Sequence, residues 1–277
     1  MTTTVAQALR RAALRLAEEG REDAEYLMAR AVGQSRSWLF AHANDELPAD
    51  ALAQFENWIG RRESGEPVAY LLGTRGFWRL ELAVTPDTLI PRPETERLVE
   101  LALDRLPPNV SKTAADLGTG SGAIALALAH DRPMLQVLGT DLSAAALSVA
   151  RSNAVANGLE RVQFAQGAWF SALGGRHFDV IVSNPPYIEK RDPHLERGDL
   201  RFEPRSALAS GADGLDDLRI IIAGAPAHLV PGGSLLVEHG WNQGERVARL
   251  FIAAGFSDIA TVQDWEGRDR VTMGCIR

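Results

Sequence analysis

The stretch Ala114-Ala115-Asp116-Leu117-Gly118-Thr119-Gly120-Ser121-Gly122-Ala123-Ile124-Ala125 constrains the fold more than any other part of this chain. Apolar residues run into three glycines at alternate positions, and a segment rich in alanine and leucine follows. That order reads as a strand, a tight loop and a helix. Glycines let the backbone of such a loop approach a ligand and leave the first helical N–H groups facing it. Residues 135–140 read as the next strand, and Asp141 at its end stands 23 residues after Gly118. An acid in that place can accept hydrogen bonds from ribose hydroxyls. Gly118, Thr119, Gly120, Ser121, Gly122 and Asp141 therefore form a nucleoside-binding signature. Two kinds of nucleoside satisfy it. Gly118, Gly120 and Ala123 fit the looser loop of dinucleotide-binding enzymes. Gly118, Gly120 and Gly122 behind Asp116 match the form carried by S-adenosylmethionine-dependent methyltransferases.

Strands and helices continue to alternate after this unit. Residues 113–117, 135–140, 162–166, 178–183 and 234–238 read as strands, with helices at 121–130, 144–156, 216–229 and 242–254. Two more strands, 258–264 and 270–276, are separated by only five residues and so pair antiparallel. Seven strands in this order predict an α/β fold, a mostly parallel sheet with helices on both faces. Ahead of it, residues 1–73 read as a small helical domain. Ala24, Leu27, Met28, Ala31 and Val32 follow helical spacing up to Gly33. Leu52, Phe55 and Ile59 repeat it before Gly60, and Pro67 opens a short helix ended by Gly73. Alternating Leu80, Leu82 and Val84 predict a β-hairpin linker within 74–92. The second domain is then 93–277, with Pro93 at the first position of a helix whose N-terminal dipole Glu94 and Glu96 complement.

Composition narrows the function. A length of 277 residues suits about two domains, and 45% hydrophobic residues can supply their cores. The net charge of −7 argues against avid, sequence-blind nucleic-acid binding, and 9 arginines against 11 acids in residues 1–75 give the helical region no basic field. The run without charge at 220–237 is broken by Pro226, Pro231, Gly232 and Gly233, so no membrane span is expected. The first twenty residues show no apolar core ahead of a cleavage site, hence no secretory signal. A single cysteine, Cys275, makes no internal disulfide and fits a reducing cytoplasm. Six scattered histidines lack metal-ligand spacing, so no metal is expected.

The fourth strand ends in Ser183-Asn184-Pro185-Pro186-Tyr187, at the edge where open α/β sheets bind ligands. Asn-Pro by itself is a turn signal. Behind a glycine loop and Asp141 it suits methyl transfer to a planar nitrogen. An amide or exocyclic amino nitrogen is a poor nucleophile because its lone pair is delocalised. Asn184 Oδ1 and the Pro185 carbonyl could hold its two N–H groups, aim the lone pair and stabilise the charge that builds on nitrogen. Pro186 stiffens the turn and Tyr187 adds a flat wall. Asn184, Pro185 and Tyr187 are the candidate catalytic residues, and Asn184–Tyr187 the candidate substrate pocket.

With these motifs the chain resembles the peptide chain release factor glutamine methyltransferases, a class I S-adenosylmethionine-dependent family. The likeness runs through Asp23-Ala24-Glu25-Tyr26-Leu27, Gly65-Glu66-Pro67-Val68-Ala69-Tyr70-Leu71-Leu72-Gly73 and Leu89-Ile90-Pro91-Arg92-Pro93-Glu94-Thr95-Glu96. It continues through Asp116–Gly122, Trp169-Phe170, Asn184–Tyr187, Phe202-Glu203-Pro204 and Glu238-His239-Gly240. Asn-Pro-Pro-Tyr alone is shared with enzymes that methylate nucleic-acid amino groups; the junction segment and the helical domain are far more specific. The resemblance implies a class I methyltransferase sheet and S-adenosyl-L-methionine held by Gly118–Gly122, Asp141 and Asn184, with Trp169 bordering the adenine. It implies a glutamine pocket at Asn184–Tyr187 and, as substrates, peptide chain release factors methylated on the glutamine of their Gly-Gly-Gln loop. It moves Arg92, Glu94 and Glu96 from a mere helix start to a wall near the site. The family's acid before Trp-Phe is Ala168 here, which leaves the adenine amino group to another acceptor. His239 beside Glu238 is expected to be structural, since the reaction needs no general base. The long segment 188–215, with Glu203, is expected to cover the glutamine. The alternatives are a ribosomal-protein glutamine methyltransferase and, against the charge, a DNA or RNA amino-methyltransferase.

Overall fold

A computed structural model describes residues 3–16 and 20–277. The expectation of no secretory signal rests partly on residues 1, 2 and 17–19, which lie outside the described residues. The chain divides into two compact units, Met1–Gly73 and Thr74–Arg277.

The first unit is helical: α1 (Val5–Arg15), α2 (Gly20–Val32), α3 (Arg36–Ala41), α4 (Ala49–Glu63) and α5 (Val68–Leu72). A capping box starts α1. Thr4 Oγ1 accepts from the Gln7 amide at 3.4 Å, and Gln7 Oε1 accepts from the Thr4 amide at 3.2 Å. Leu27, Met28, Phe55 and Ile59 are fully buried together, as their helical spacing predicts. The predicted end of α4 at Gly60 is not observed, and the helix continues to Glu63. Glycine costs a helix only about 1 kcal/mol. Arg61 and Arg62 in the last turn offset it by favouring the C-terminal dipole and by pairing with Glu66 and Asp23. Gly73, with φ 71°, ends α5 in the left-handed conformation.

The second unit opens with the hairpin β1 (Thr74–Phe77) and β2 (Leu80–Ala83), Thr74 opposite Ala83. Next comes α6 (Thr95–Leu103), two residues later than Pro93 predicts. Residues 92–97 form a tighter entering turn, in which the amides of Thr95, Glu96 and Arg97 bond to carbonyls three residues back. The remaining elements are β3 (Thr113–Leu117), α7 (Ala123–Asp131), β4 (Gln136–Asp141), α8 (Ala144–Ala156), β5 (Gln163–Gln166), β6 (Phe178–Ser183), α9 (Arg205–Leu208), α10 (Asp216–Gly224), β7 (Leu229–Glu238), α11 (Gly244–Ala253), β8 (Ser257–Gln263) and β9 (Asp269–Cys275). The predicted helix 216–229 is shorter, because Pro226 turns the chain into a 3₁₀ segment and Leu229 already pairs in β7.

Among the described residues seven strands form one sheet in the order β5-β4-β3-β6-β7-β9-β8, and only β9 runs antiparallel to its neighbours. Strand β4 leaves β3 on one side and β6 returns on the other, so the chain reverses its direction of winding between β3 and β6. Ligands bind open α/β sheets at the carboxyl ends of such a pair. Helix α7 is buried from Ala123 to Ala129, which its unbroken alanine and leucine run explains.

Asn153 ties the hairpin to this sheet. Buried in the last turn of α8, its Oδ1 accepts from the Ala83 amide at 2.7 Å. Its Nδ2 donates to the carbonyls of Ala83 at 3.0 Å and Ser121 at 2.8 Å. Asn153→Leu would leave buried backbone groups without partners, each costing about 1–3 kcal/mol. Chemical denaturation is expected to show a loss of about 2–4 kcal/mol with unchanged m. A loss under half a kilocalorie would mean that water replaces the side chain.

Candidate active site

Strand register brings the loops together. Leu117 pairs with both Thr140 and Ser183, Asp141 pairs with Gln166, and Ser183 pairs with Val237. The segments that begin at Gly118, Leu142, Gly167, Asn184 and Glu238 thus leave one edge of the sheet side by side. They open onto a cavity of about 610 Å³ within the second unit. Gly118, Thr119, Gly120, Ser121, Asp141, Trp169, Asn184 and Pro186 line it, as do Arg92 and Thr95 from the start of α6. Gly122, Pro185 and Tyr187 are not among its lining residues.

The glycine loop is held from beneath. Asp116, fully buried, accepts from Thr119 Oγ1 at 2.6 Å and from the Ala125 amide at 3.2 Å, which clamps the loop to the first turn of α7. Burial pushes its carboxyl up to about 7 against those two hydrogen bonds, with Asp141 adding to the rise. Its Oδ1 has no partner among the described residues. Gly118 has φ 75°, and a Cβ there would stand 3.2 Å from the Trp169 ring. Gly120 has φ 55°, and a Cβ would meet nothing within 4 Å, so that face is open to a ligand.

Asp141 is oriented by the chain. Oδ2 accepts from the Gly120 amide at 2.9 Å and Oδ1 from the Ser143 amide at 2.8 Å. Each oxygen keeps a further lone pair, and the residue lines the cavity, as a ribose diol requires. Trp169 adopts φ 47°, a conformation that costs a non-glycine residue about 1–2 kcal/mol. Its ring lies against Gly118. Leu142, 69% exposed, adds a second apolar wall beside Trp169 and Ile124. A carboxylate at one end and apolar faces at the other fit a nucleoside. Ala168 caps the 3₁₀ turn at Trp169–Ala172 only through its carbonyl, which accepts from both the amide and the hydroxyl of Ser171.

Asn184 presents its two amide ends differently. Nδ2 donates to Thr95 Oγ1 at 3.1 Å, Oδ1 has no hydrogen-bond partner among the described residues, and the residue lines the cavity. Tyr187 does not form the flat cavity wall read from its type. Its hydroxyl turns away to Glu238 Oε1 at 3.2 Å, and its carbonyl accepts from Gln243 Nε2 at 3.0 Å. Glu96 is used structurally, Oε1 accepting from the Trp78 amide at 2.8 Å. His239 is also structural: fully buried, with its ring nitrogens on the Gly240 carbonyl at 3.0 Å and Thr272 Oγ1 at 2.8 Å, and its pKa lowered by burial.

Two groups have partners that sequence reasoning did not reveal. Glu203 is buried, accepts from the Ile90 amide at 2.9 Å and pairs with Arg92, so it clasps the 188–215 segment to the chain ahead of α6. Burial raises its pKa, opposed by the Arg92 charge. Pro204, Ser206 and Ala207 from the same segment line the cavity. Thr95 is the other; only its place two residues after a proline, at a helix start, distinguished it.

Among the described residues no group of three or more His, Cys, Asp or Glu could hold a metal ion, and no helix is long and apolar enough to cross a membrane.

Residues 7–73 match the family model described as the PrmC N-terminal domain, and residues 96–199 the one described as the methyltransferase small domain. A release factor glutamine methyltransferase of Xylella fastidiosa is 58% identical over 254 residues, 92% of this chain and 92% of its own. One from Escherichia coli is 46% identical over 261 residues, 94% of each chain. The solved 16S rRNA N2 G1207 methyltransferase of Thermus thermophilus, in complex with AdoMet and guanosine, is similar in fold. Its TM-score is 0.56 at 22% identity, over 74% of this chain and 50% of that one.

Proposed function

Because the chain belongs to the release factor glutamine methyltransferase family, we propose that its cavity binds S-adenosylmethionine and that it methylates the side-chain amide nitrogen of a release factor glutamine. The observation that carries this reading is Asn184, which lines the same cavity as the glycine loop and donates from Nδ2 to Thr95, so that Oδ1 is the end of its amide left to accept. When bound, S-adenosylmethionine supplies an electrophilic methyl group on a positively charged sulfur. The protein's part is positioning. Gly118–Gly122 and Asp141 would hold the cofactor's ribose side, and Trp169 and Leu142 would border the adenine. Asn184 Oδ1 would take one N–H group of the glutamine amide. The Pro185 carbonyl, which lies outside the cavity's lining and so must be reached past Asn184, would take the other, and the two together would aim the lone pair at the methyl group. As positive charge grows on nitrogen these oxygens stabilise it, and the excess proton leaves to water afterwards, so no strong base is required. Pro186 and, from the clasped 188–215 segment, Pro204, Ser206 and Ala207 wall the cavity. Tyr187 serves by holding the turn rather than by touching substrate.

The glutamine is that of the Gly-Gly-Gln loop, whose small neighbours let the side chain reach a recessed pocket. Residues 1–73, which have a core of their own, recognise the body of the factor. The acidic balance and lone cysteine support a cytoplasmic reaction on protein, without direct nucleic-acid binding. The test is to offer methyl-labelled cofactor with release factor, ribosomal protein or nucleic acid in separate reactions. Label is expected in the release factor alone, on glutamine. A chain beginning at Thr74 is expected to bind cofactor yet lose at least about tenfold in kcat/KM on the intact factor, since remote contacts orient the reacting group. Label in ribosomal protein or nucleic acid instead would overturn the substrate, and full turnover by the shortened chain would overturn the recognition role.

A further inference from the structure

A side-chain amide has two ends of nearly the same shape and opposite polarity. Only one orientation of Asn184 presents an acceptor to an incoming N–H; the other places two donors against it. Thr95 alone does not choose between them, because a hydroxyl donates or accepts equally well. What can choose is a group on the far side of Thr95 that only accepts. Glu238 is that group. It ends β7, one position beyond Val237, which pairs with Ser183, so it sits at the sheet edge next to Asn184. Its side chain is buried, and Thr95 is foremost among the groups that hold its carboxyl pKa down against that burial. Oε1 accepts from the Tyr187 hydroxyl at 3.2 Å, while Oε2 is buried with no hydrogen-bond partner among the described residues and so has a lone pair left to accept with.

We propose that Glu238 and Thr95 are positioning residues: the carboxylate draws the Thr95 proton, the freed Thr95 lone pair takes Asn184 Nδ2–H, and Asn184 Oδ1 is thereby fixed as the acceptor facing the target amide. The same carboxylate holds Tyr187, so both ends of the Asn184–Tyr187 turn rest on one buried group. This deepens the methyltransferase reading above and rests on it for the identity of the target.

The arrangement carries a pH dependence. Burial pushes the Glu238 carboxyl up to about 7. Thr95, Arg270 of β9 and Tyr187 oppose that rise, and Glu94 at the start of α6 adds to it. Arg270 is itself paired with Asp264 at 3.0 Å. The neighbouring His239 faces away, toward Gly240 and Thr272. Above about 7 the carboxylate accepts and Asn184 is held in the productive sense. Below it a protonated Glu238 can donate to Thr95, and the preference is lost. Turnover should therefore fall as pH drops through neutrality.

Three variants test this: Thr95→Val, which keeps shape without the hydroxyl; Thr95→Ser, which restores it; and Glu238→Gln, which keeps size but can donate. Thr95→Val and Glu238→Gln are expected to lower kcat about 10–100-fold, with KM for the release factor and cofactor affinity within a few-fold. Thr95→Ser is expected to recover most of kcat, and Glu238→Gln to lose the acid limb of the pH profile. A second readout needs no substrate. In the protein alone, the Asn184 side-chain NH2 resonances should titrate with Glu238, and should cease to do so in Thr95→Val. Wild-type kcat in Thr95→Val, a Thr95→Ser variant as impaired as Thr95→Val, or Asn184 resonances indifferent to pH would each overturn the proposal. Titrating resonances in a protein that labels no release factor would instead sink the substrate reading and leave the positioning chain standing.

Discussion

Asn184→Ala is expected to lower single-turnover methyl transfer by about 10²–10³, the range for losing one preorganised hydrogen bond to a transition state. The geometry says where the loss falls. Asn184 Oδ1 is the end of the amide left to accept, while the glycine loop and Asp141 are anchored independently of it. Cofactor affinity should accordingly stay within a few-fold. Asn184→Asp is the sharper test. An aspartate keeps an acceptor toward the cavity but has no N–H for Thr95, so Thr95 must donate to it or to Glu238 and cannot satisfy both. A second carboxylate then lies near Glu238 and beside the cationic cofactor. Cofactor binding should tighten or stay unchanged while transfer slows, so that affinity and rate move in opposite directions. Wild-type transfer by Asn184→Ala would show that Asn184-Pro185 is only a turn.

The second large effect is on binding. Asp141→Ala should weaken S-adenosylmethionine by about 1.5–3 kcal/mol, roughly 10–150-fold, the worth of a hydrogen bond to a charged group. The carboxylate also receives the Gly120 and Ser143 amides, so part of that loss comes from a loosened loop. Asp141→Asn separates the two contributions. It can accept from one amide but not both, and it offers the ribose one acceptor and one donor. Calorimetry should therefore place it between wild type and alanine. Unchanged affinity in a folded Asp141→Ala protein would remove this residue from the cofactor site. Tight nicotinamide dinucleotide binding with none for S-adenosylmethionine would remove the methyltransferase reading altogether.

Much of this architecture was legible in the chain. The strand–glycine–helix order at 113–131 and the acid at 141 follow from local rules, because turn, cap and period are set by residues within a few positions of one another. The same rules misplaced the start of α6 by two residues, since a proline suits both the first position of a helix and the turn that leads into it. Residue type was a weaker guide to orientation. Tyr187 reads as an aromatic wall, yet its hydroxyl found a buried carboxylate 51 residues away and turned the ring from the cavity. His239 reads as structural rather than as half of a catalytic pair with Glu238, and its ring nitrogens rest on the Gly240 carbonyl and Thr272 Oγ1.

Residue order sets the chemistry on offer: a glycine loop, an acid to meet it, two acceptors beside rigid prolines, and two segments with separate helical and alternating patterns. Tertiary structure alone decided which groups meet. Asn184 bonds to Thr95 across 89 residues, and Glu203 reaches Ile90 across 113 and Arg92 across 111. Such partnerships depend on the strand order β4-β3-β6-β7 and on the register that sets Leu117, Ser183 and Val237 abreast. Parallel strands are joined through intervening helices, so no short-range pattern encodes which two will lie side by side. That choice is made when the whole core packs, and only then does Asn184 acquire the partner that gives its amide a direction.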